Sequence, residues 1–439
     1  MNIGFIGLGC EKNVINTEQM IHRVKEAGHT IVSDADTADI IVINTCGFIE
    51  SAKSEAIETI MEMAALKKEG KIKKIVICGC LPERYKDCIA EELPEGDAFV
   101  GVGNFADIAE VIEELEKTEK VYRFAPPEEQ DMELARVRTG LPFTAYLKIA
   151  DGCNNCCSYC AIPAIRGAYR SRPLENIVAE AKGLAAEGVK ELILIAQDTT
   201  LYGTDLYGES RLCELLDELV KIEGFEWIRM LYLYPDKITD KLLDKIANED
   251  KLIPYIEMPI QHSEKSVLSR MNRPGGREEL LALITKIRDK MPDAILRTTL
   301  IAGFPGESEA EFEGLCDFVR QARFDRLGVF AYSAEEGTPA ADFEGQLEED
   351  VKHRRAEIIE DIQSEIVYEN LQNAIGKKMR VLCEGFDRLA ECNYGRSYGE
   401  APDIDGKIFF MGQNVRPGEM VEVLITDTLD FDLIGEVVE

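Results

Sequence analysis

Short apolar runs alternate with longer amphipathic stretches through the first 125 residues. The apolar runs predict buried strands at residues 2–8, 40–44, 75–79 and 98–100. The amphipathic stretches predict helices at residues 16–27, 51–68 and 104–116, and one that opens at Pro82. Asn16 is the expected N-cap of the first helix, and Gly28 follows its end. This alternation predicts an α/β domain at residues 1–125, a doubly wound parallel sheet with helices on both faces.

A second alternating series follows an acidic linker with a proline pair at residues 123–131, and it extends from residue 138 to residue 371. Its apolar runs predict strands at 145–149, 191–196, 227–233, 255–257, 295–301 and 327–331. Six strand–helix repeats predict a partial (β/α)6 barrel. In barrels the functional groups lie in the loops that follow the carboxyl ends of the strands, so we expect the chemistry of this domain there.

The periodicity changes again in the last part of the chain, residues 372–439. Short strands are predicted at 378–384, 389–393, 407–410, 420–427 and 432–438, with Gly and Pro between them. This pattern predicts a small all-β barrel of the oligonucleotide-binding kind. The segment holds 7 Lys or Arg and 13 Asp or Glu, a net charge of −6. Because a barrel that binds nucleic acid should be basic, we expect this one to bind protein.

Composition narrows the class of protein. The chain carries a formal net charge of −32, which disfavours a broad nucleic-acid interface and favours a basic partner. It has no apolar run of about 18 residues, so no membrane span is expected. Its start does not resemble a signal peptide, which predicts a cytoplasmic protein. In a reducing compartment, 13 cysteines indicate metal or redox chemistry rather than disulfides.

Four cysteines fall within eight residues directly after the first barrel strand: Cys153, Cys156, Cys157 and Cys160. One interpretation takes Cys153, Cys157 and Cys160 as three ligands of a cubane iron–sulfur cluster with one iron left open. A second takes all four as a zinc site, although zinc knuckles are usually separated by a dozen or more residues. A third is a set of unliganded thiols. The position at the barrel mouth favours the cluster.

Three more cysteines occupy equivalent places in the first domain. Cys10, Cys46 and Cys80 each lie at or just past the carboxyl end of a predicted strand. Since these ends share one edge of a parallel sheet, three thiolates that are far apart in sequence can meet there. They form a second candidate metal site.

These features resemble a known family. A strand followed by Cys153-x3-Cys157-x-Tyr159-Cys160 in a barrel is similar to radical S-adenosylmethionine (SAM) enzymes. The N-terminal cysteines, with Gly7-Leu8-Gly9-Cys10 and Cys78-Gly79-Cys80-Leu81-Pro82-Glu83-Arg84-Tyr85, resemble the methylthiotransferases within them, and the last barrel resembles their TRAM domain. Cys156 departs from the family pattern, and the family spacing assigns Cys157 as the ligand.

Two branches of this family modify different substrates: MiaB-like members act on adenosine in tRNA, and RimO-like members act on an aspartate of ribosomal protein S-twelve. Four features resemble the second branch, namely the acidic TRAM barrel, Gly9-Cys10-Glu11-Lys12-Asn13, Gln197-Asp198-Thr199-Thr200-Leu201-Tyr202-Gly203, and Arg297-Thr298-Thr299 ahead of Gly303-Phe304-Pro305-Gly306-Glu307. The resemblance therefore implies methylthiolation of the aspartate β-carbon. The same chemistry on tRNA and a non-catalytic zinc or iron–sulfur scaffold are the alternatives.

The resemblance also implies the cofactors and the residues that hold them. Two [4Fe–4S] clusters and SAM are expected, with Cys10, Cys46 and Cys80 as ligands of an auxiliary cluster and Cys153, Cys157 and Cys160 as ligands of the other. Position and resemblance assign SAM contacts to Tyr159, Gln197, Gln261 and Gly303. His262 is expected to be a solvated loop residue rather than a base. The expected partners are ribosomal protein S-twelve and an electron donor such as flavodoxin, whereas free tRNA is not expected to bind.

Overall fold

The computed structural model describes residues 1–438. The strands are β1 Asn2–Gly7, β2 Thr30–Val32, β3 Ile40–Thr45, β4 Lys74–Gly79, β5 Ala98–Val100, β6 Val121–Arg123, β7 Thr144–Lys148, β8 Ala150–Asp151, β9 Arg170–Ser171, β10 Glu191–Ile195, β11 Trp227–Met230, β12 Tyr255–Glu257, β13 Ile295–Ala302, β14 Arg326–Ala331, β15 Lys378–Asp387, β16 Cys392–Arg396, β17 Ile408–Met411, β18 Met420–Leu429 and β19 Asp432–Val437. The α-helices are α1 Glu11–Glu26, α2 Glu50–Lys68, α3 Cys80–Arg84, α4 Ile89–Glu92, α5 Ile108–Glu114, α6 Ile162–Arg166, α7 Leu174–Ala186, α8 Thr204–Tyr207, α9 Leu212–Leu219, α10 Asp240–Asn248, α11 Lys265–Arg270, α12 Arg277–Lys290, α13 Glu309–Ala322 and α14 Glu349–Gln372.

The first six strands form one parallel sheet in the order β2-β1-β3-β4-β5-β6. Apolar side chains pack on both faces of the sheet, with α1 and α5 on one face and α2 on the other. The predicted doubly wound sheet is therefore confirmed. The edge strands β2 and β6 were not predicted, because each has only three residues and is partly exposed, and so shows no apolar run.

The first helix begins earlier than its sequence suggests. It starts at Glu11, with Cys10 at the N-cap position, and not at residue 16. Asn16, the expected N-cap, lies inside the helix with its side chain fully buried, where its amide donates to Gln19 Oε1 at 3.3 Å. The sequence suggested an N-cap at Asn16 because asparagine is common at that position. In the structure the side chain of Asn16 instead forms its hydrogen bonds in the packed interior. Gly28 follows the helix end at a φ of 83°, as the sequence indicated.

The middle of the chain is an open barrel of six parallel strands. β7, β10 and β11 form one three-stranded sheet, and β12, β13 and β14 form another. A parallel bridge between Ile228 and Leu252 joins the two sheets beside β11 and β12. The helices pack outside these strands around a large apolar core. The predicted partial (β/α)6 barrel is thus confirmed.

The last five strands close into a barrel in the order β15-β16-β17-β19-β18, which confirms the predicted all-β barrel. All neighbours pair antiparallel except β17 and β19, which pair parallel. The residues at which one domain gives way to the next remain a prediction.

The C-terminal barrel packs against the amino ends of the central strands. Arg396 of β16 donates to Glu191, the first residue of β10, at 2.7 Å, and to Glu384 at 2.6 Å. Arg229 of β11 donates to the other oxygen of Glu191 at 2.8 Å. Tyr255, the first residue of β12, donates its hydroxyl to Asp405 at 2.6 Å. The C-terminal barrel therefore does not cover the mouth of the central barrel, which lies at the carboxyl ends of the strands and faces the N-terminal sheet.

No helix in residues 1–438 has both the length and the apolar composition needed to cross a membrane.

Substitution of Arg396 tests the buried contact between the two barrels. The Arg396 side chain is 1% exposed, so Arg396→Met leaves Glu191 and Glu384 buried without that partner. We expect a loss of about 3–5 kcal/mol in the free energy of unfolding. The readout is urea unfolding followed by the fluorescence of Trp227, the single tryptophan, which lies in this interface.

Arg380→Met is the matched control. Arg380 also joins the C-terminal barrel to the central domain, through Glu226 at 2.6 Å, but its side chain is 52% exposed. Its loss should cost no more than about 1 kcal/mol. Equal effects of the two substitutions would contradict the role assigned to the buried pair.

Candidate metal centres at the barrel mouth

Three cysteines meet at the carboxyl edge of the N-terminal sheet. Cys10 caps α1 after β1, Cys46 follows β3, and Cys80 opens α3 after β4. β1, β3 and β4 are adjacent in the sheet, so the loops that carry the cysteines are neighbours. Gly9 shows how tightly they pack: its φ is 90°, and a Cβ there would lie 2.9 Å from the Cβ of Cys46. The sheet therefore brings together the three cysteines that the sequence grouped.

The surroundings of Cys46 and Cys80 disfavour negative charge on these thiols unless a cation is bound. Burial, with the charges of Cys80 and Cys10 added to it, raises the pKa of Cys46 to about 12. Burial also raises the pKa of Cys80, and the Arg166 guanidinium offsets part of that effect. Metal binding requires thiolates and supplies the missing positive charge. Three thiols on one sheet edge, two of them desolvated, thus fit a metal cluster.

The second set of cysteines lies in the loop after β8. Cys160 N donates to Cys157 O at 3.0 Å, which folds this part of the loop into a tight turn. Burial raises the pKa of Cys160 to about 12, and the charges of Cys157 and Cys153 add to the rise. Burial also raises the pKa of Cys153. The three side chains are therefore within electrostatic reach of one another.

Cys156 and Cys157 are oriented differently. Cys156 has a left-handed φ of 50° and an exposed side chain, and its carbonyl accepts from Asn272 Nδ2 at 2.9 Å. Cys157 is buried, with Sγ 3.6 Å from the hydroxyl of Tyr234 and 3.7 Å from Nη1 of Arg273. The Arg273 guanidinium thus places a positive charge beside the Cys157 sulfur, and no such contact is present at Cys156 within residues 1–438. This arrangement favours Cys157 over Cys156 as a ligand.

Within residues 1–438, no three His, Cys, Asp or Glu side chains converge closely enough to hold a single metal ion. A structural zinc requires four ligands on one ion. A [4Fe–4S] cluster instead takes its thiolate ligands on different irons, so they stand further apart. Thiolates, the ligand type that both cysteine sets offer, are the ligands that hold such clusters.

Two of the expected SAM contacts have side chains near the second set. Gln197 follows β10, and its Nε2 donates to Asp151 at 2.8 Å. Its Oε1 is buried and has no hydrogen-bond donor among the described residues. Tyr159 lies between two of the cysteines, and its hydroxyl accepts from Arg273 Nη1 at 3.4 Å. Burial raises the pKa of Tyr159 well above its usual value.

The other two expected contacts follow β12 and β13. Gln261 has a φ of 69°, and its backbone pairs with the next strand, at 2.9 Å to Thr299 O and 2.8 Å from Ile301 N. Gly303 has a φ of 75°, and its N–H donates to Glu307 Oε2 at 3.0 Å. The amide of Gly303 is thus engaged within the protein. The roles of all four residues in SAM binding remain predictions.

His262 does not lie in solvent, so that expectation was wrong. The side chain of His262 is fully buried. Nδ1 accepts from Glu264 N at 3.0 Å, and Nε2 lies 3.4 Å from Glu307 Oε2. Because Glu307 also binds the amide of Gly303, the histidine packs against the carboxylate that holds this turn.

The structure adds Arg166, which the sequence did not single out. It ends α6, shortly after Cys160, and its side chain is buried. Nη2 donates to Cys80 Sγ at 3.5 Å and to Asn13 at 2.5 Å, whereas Nη1 donates to Asp151 at 3.2 Å. Arg166 therefore connects the loop of the second cysteine set to a cysteine of the first. The sequence gives no signal for the contacts of Arg166 with Cys80 and Asn13, since these two residues lie in another domain.

The loop at residues 231–234 also faces both cysteine sets. The Tyr232 hydroxyl donates to Glu11 Oε2 at 2.7 Å, next to Cys10, and Tyr234 contacts Cys157. Tyr232 has a φ of 63°, a strained conformation for a large side chain and one often found at functional sites. The two cysteine sets therefore border one region at the barrel mouth.

Comparison with known proteins gives matches along almost the whole chain. Residues 2–101 match the uncharacterized protein family UPF0004, residues 147–319 the radical SAM superfamily and residues 375–438 the TRAM domain. Ribosomal protein uS12 methylthiotransferase RimO of Thermoanaerobacter sp. (strain X514) is 47% identical, with 99% of each chain covered. The RimO of Geobacter sulfurreducens is 45% identical and covers 99% of this chain and 98% of its own.

Solved structures show the same fold at low identity. The radical S-adenosylmethionine methyltransferase TsrM of Kitasatospora setae, with cobalamin and a [4Fe-4S] cluster bound, superposes with a TM-score of 0.58 at 15% identity. The match covers 77% of this chain and 76% of that one.

The choice between the adjacent cysteines is testable with two variants. Cys157→Ala should lower the iron content of anaerobically prepared protein from about eight to about four per chain, because one cluster loses a ligand. It should also abolish reductive cleavage of SAM. Cys156→Ala, whose side chain is exposed, is the matched control and should retain both. If iron content and SAM cleavage fell in Cys156→Ala but not in Cys157→Ala, Cys156 rather than Cys157 would be the ligand.

Proposed function

This chain belongs to the RimO family of ribosomal protein uS12 methylthiotransferases, and on that premise we propose that it attaches a methylthio group to the β-carbon of an aspartate in uS12. Its cofactors are SAM and [4Fe–4S] clusters. The observation that carries the proposal is that two sets of three cysteines border one barrel mouth: Cys10, Cys46 and Cys80 in the first set, and Cys153, Cys157 and Cys160 in the second. When bound, the cofactors supply a radical able to take hydrogen from an unactivated carbon and the sulfur that replaces it.

The residues around the second cysteine set bind and orient the cofactors. Arg273 places a positive charge beside Cys157 and also lies over the Tyr234 ring, 4.1 Å from its centroid. Gln197 presents its unpaired Oε1 in the same region and is held through Nε2 by Asp151. The charges of Lys148 and Arg166 outweigh burial and keep the pKa of Asp151 well below its usual range. We assign SAM binding to Gln197, Tyr159, Gln261 and Gly303.

The N-terminal domain is held over the mouth by a second group of contacts on its other side. Arg84 donates to Glu335 at 2.9 Å, and the backbone N–H of Glu50 donates to the same carboxylate at 2.9 Å. Glu335 follows β14 and is buried. These contacts add to those of Arg166 in holding the N-terminal domain against the central barrel.

The charge of the chain supports a protein substrate. The net charge of −32 and the acidic C-terminal barrel suit a basic ribosomal protein and repel the phosphates of tRNA. We therefore propose uS12 as the substrate and do not expect free tRNA to bind. We further propose a cytoplasmic site of action and an electron donor such as flavodoxin.

Mass spectrometry of uS12 tests the proposal directly. Incubation of uS12 with the iron–sulfur-loaded enzyme, SAM and a reductant should add one methylthio group in place of hydrogen at one aspartate. Unfractionated tRNA, incubated in parallel, should show no methylthio-adenosine. Modified tRNA together with unmodified uS12 would contradict the proposed substrate.

Loss of Cys46 separates the two proposed cluster roles. Cys46→Ala removes a ligand from the first cysteine set only, so SAM cleavage should persist while methylthio-uS12 falls below detection. Cys88→Ala is the matched control, because Cys88 is an exposed thiol of the same domain outside the set. A Cys46→Ala enzyme that still forms the product would refute the role of the first set.

A further inference from the structure

The side chain of Lys12 is largely buried at the barrel mouth, and its ammonium group has no hydrogen-bond acceptor among residues 1–438. The residue is 5% exposed, and its Nζ lies 3.0 Å from the centroid of the Tyr232 ring. The only carboxylate oxygen within 4.0 Å is Oε2 of Glu11, at 4.0 Å. An ammonium on a largely buried side chain gives up part of its hydration, so a group that accepts from its three unused donors when bound is favoured.

The two nearby carboxylates are occupied by other donors. Glu11 accepts from the Tyr232 hydroxyl at 2.7 Å. Glu257 accepts from the backbone N–H of Tyr232 and from Arg297 Nη1, the latter at 3.5 Å. Neither carboxylate forms a hydrogen bond with Lys12. The N–H donors of the Lys12 ammonium therefore remain available to an anion that binds from solvent.

The position of Lys12 relates it to both cysteine sets. It follows the proposed ligand Cys10 by two residues on α1. Its contact, Tyr232, precedes Tyr234 by two residues, and Tyr234 touches Cys157 of the other set. The ammonium therefore lies beside the loop that borders both sets, where the transferred sulfur and the target carbon must meet.

We propose that Lys12 binds the side-chain carboxylate of the substrate aspartate, and so selects aspartate over asparagine and holds the β-carbon near the first cysteine set. The inference rests on the proposed function, since it specifies how that substrate is recognised. A carboxylate suits the site because it accepts from the ammonium with charge assistance, whereas an amide oxygen offers no charge. The other carboxylate that enters this mouth is that of SAM, and the experiment separates the two.

The test compares binding of two substrates to two enzymes. The substrates are uS12 and a uS12 variant with asparagine at the modified position, and the enzymes are the wild type and Lys12→Met. Dissociation constants are measured anaerobically with the cluster-loaded enzyme and SAM but no reductant, so that no turnover occurs. The wild type should bind the asparagine variant about 10–100-fold more weakly than uS12, the range for a lost charge-assisted hydrogen bond. Lys12→Met should bind the two substrates equally.

Three controls keep the result interpretable. Lys25→Met removes an exposed lysine of the same helix and should keep the wild-type preference. Lys12→Arg retains the charge and should keep most of the preference. The iron content of Lys12→Met reports whether its clusters are intact, and the comparison of the two substrates on the wild type requires no altered enzyme.

Several results would overturn the inference. One is a wild type that binds both substrates equally, and another is a Lys12→Met enzyme that keeps the preference for aspartate. A third is a Lys12→Met enzyme whose SAM affinity falls while its discrimination between the substrates is unchanged, since that assigns the ammonium to the SAM carboxylate. Failure of the proposed function has a different signature: the wild type with reductant then leaves uS12 unmodified.

Discussion

The site depends on one buried guanidinium, that of Arg166. It lies on the short helix after the cysteine loop of the central barrel, yet it donates to Cys80 in the N-terminal sheet and to Asp151 beneath the loop. A buried cation must keep its partners, because an unpaired one costs several kcal/mol. The pairing therefore fixes the sheet over the barrel mouth at one position. Together with the contacts of Arg84 with Glu335 and of Tyr232 with Glu11, this pairing sets how the two cysteine sets lie relative to each other.

The same principle is used at both ends of the barrel. At the amino ends of the central strands, Arg396 and Arg229 share the carboxylate of Glu191, and this network holds the C-terminal barrel at the end opposite the mouth. At the top, Arg166 and Arg273 each place a positive charge beside a cysteine sulfur. Arg166 and Arg273 each form hydrogen bonds there, whereas Lys12 has no hydrogen-bond acceptor within residues 1–438 and contacts the ring of Tyr232.

Sequence patterns predicted the fold class and the two cysteine sets, because strand ends in parallel sheets determine where loop residues meet. They could not predict the short edge strands β2 and β6, which have too few apolar positions. They also placed the start of α1 too late, since Asn16 resembles a cap but is buried against partners that include Arg166. Contacts of Arg166, Tyr232 and Lys12 join residues of different domains, and local periodicity carries no information about such pairs. The buried state of His262 was missed because Glu307, the carboxylate it packs against, lies 45 residues further along the chain in another loop of the same domain.

Electron paramagnetic resonance of the reduced protein tests most directly whether the two cysteine sets hold clusters that face one barrel mouth. If both clusters are present and adjacent, their spins interact, and the wild-type spectrum should be broader than the sum of the spectra of Cys46→Ala and Cys157→Ala, each of which keeps one cluster. A wild-type spectrum equal to that sum would show that the clusters are far apart, and it would contradict the arrangement described above.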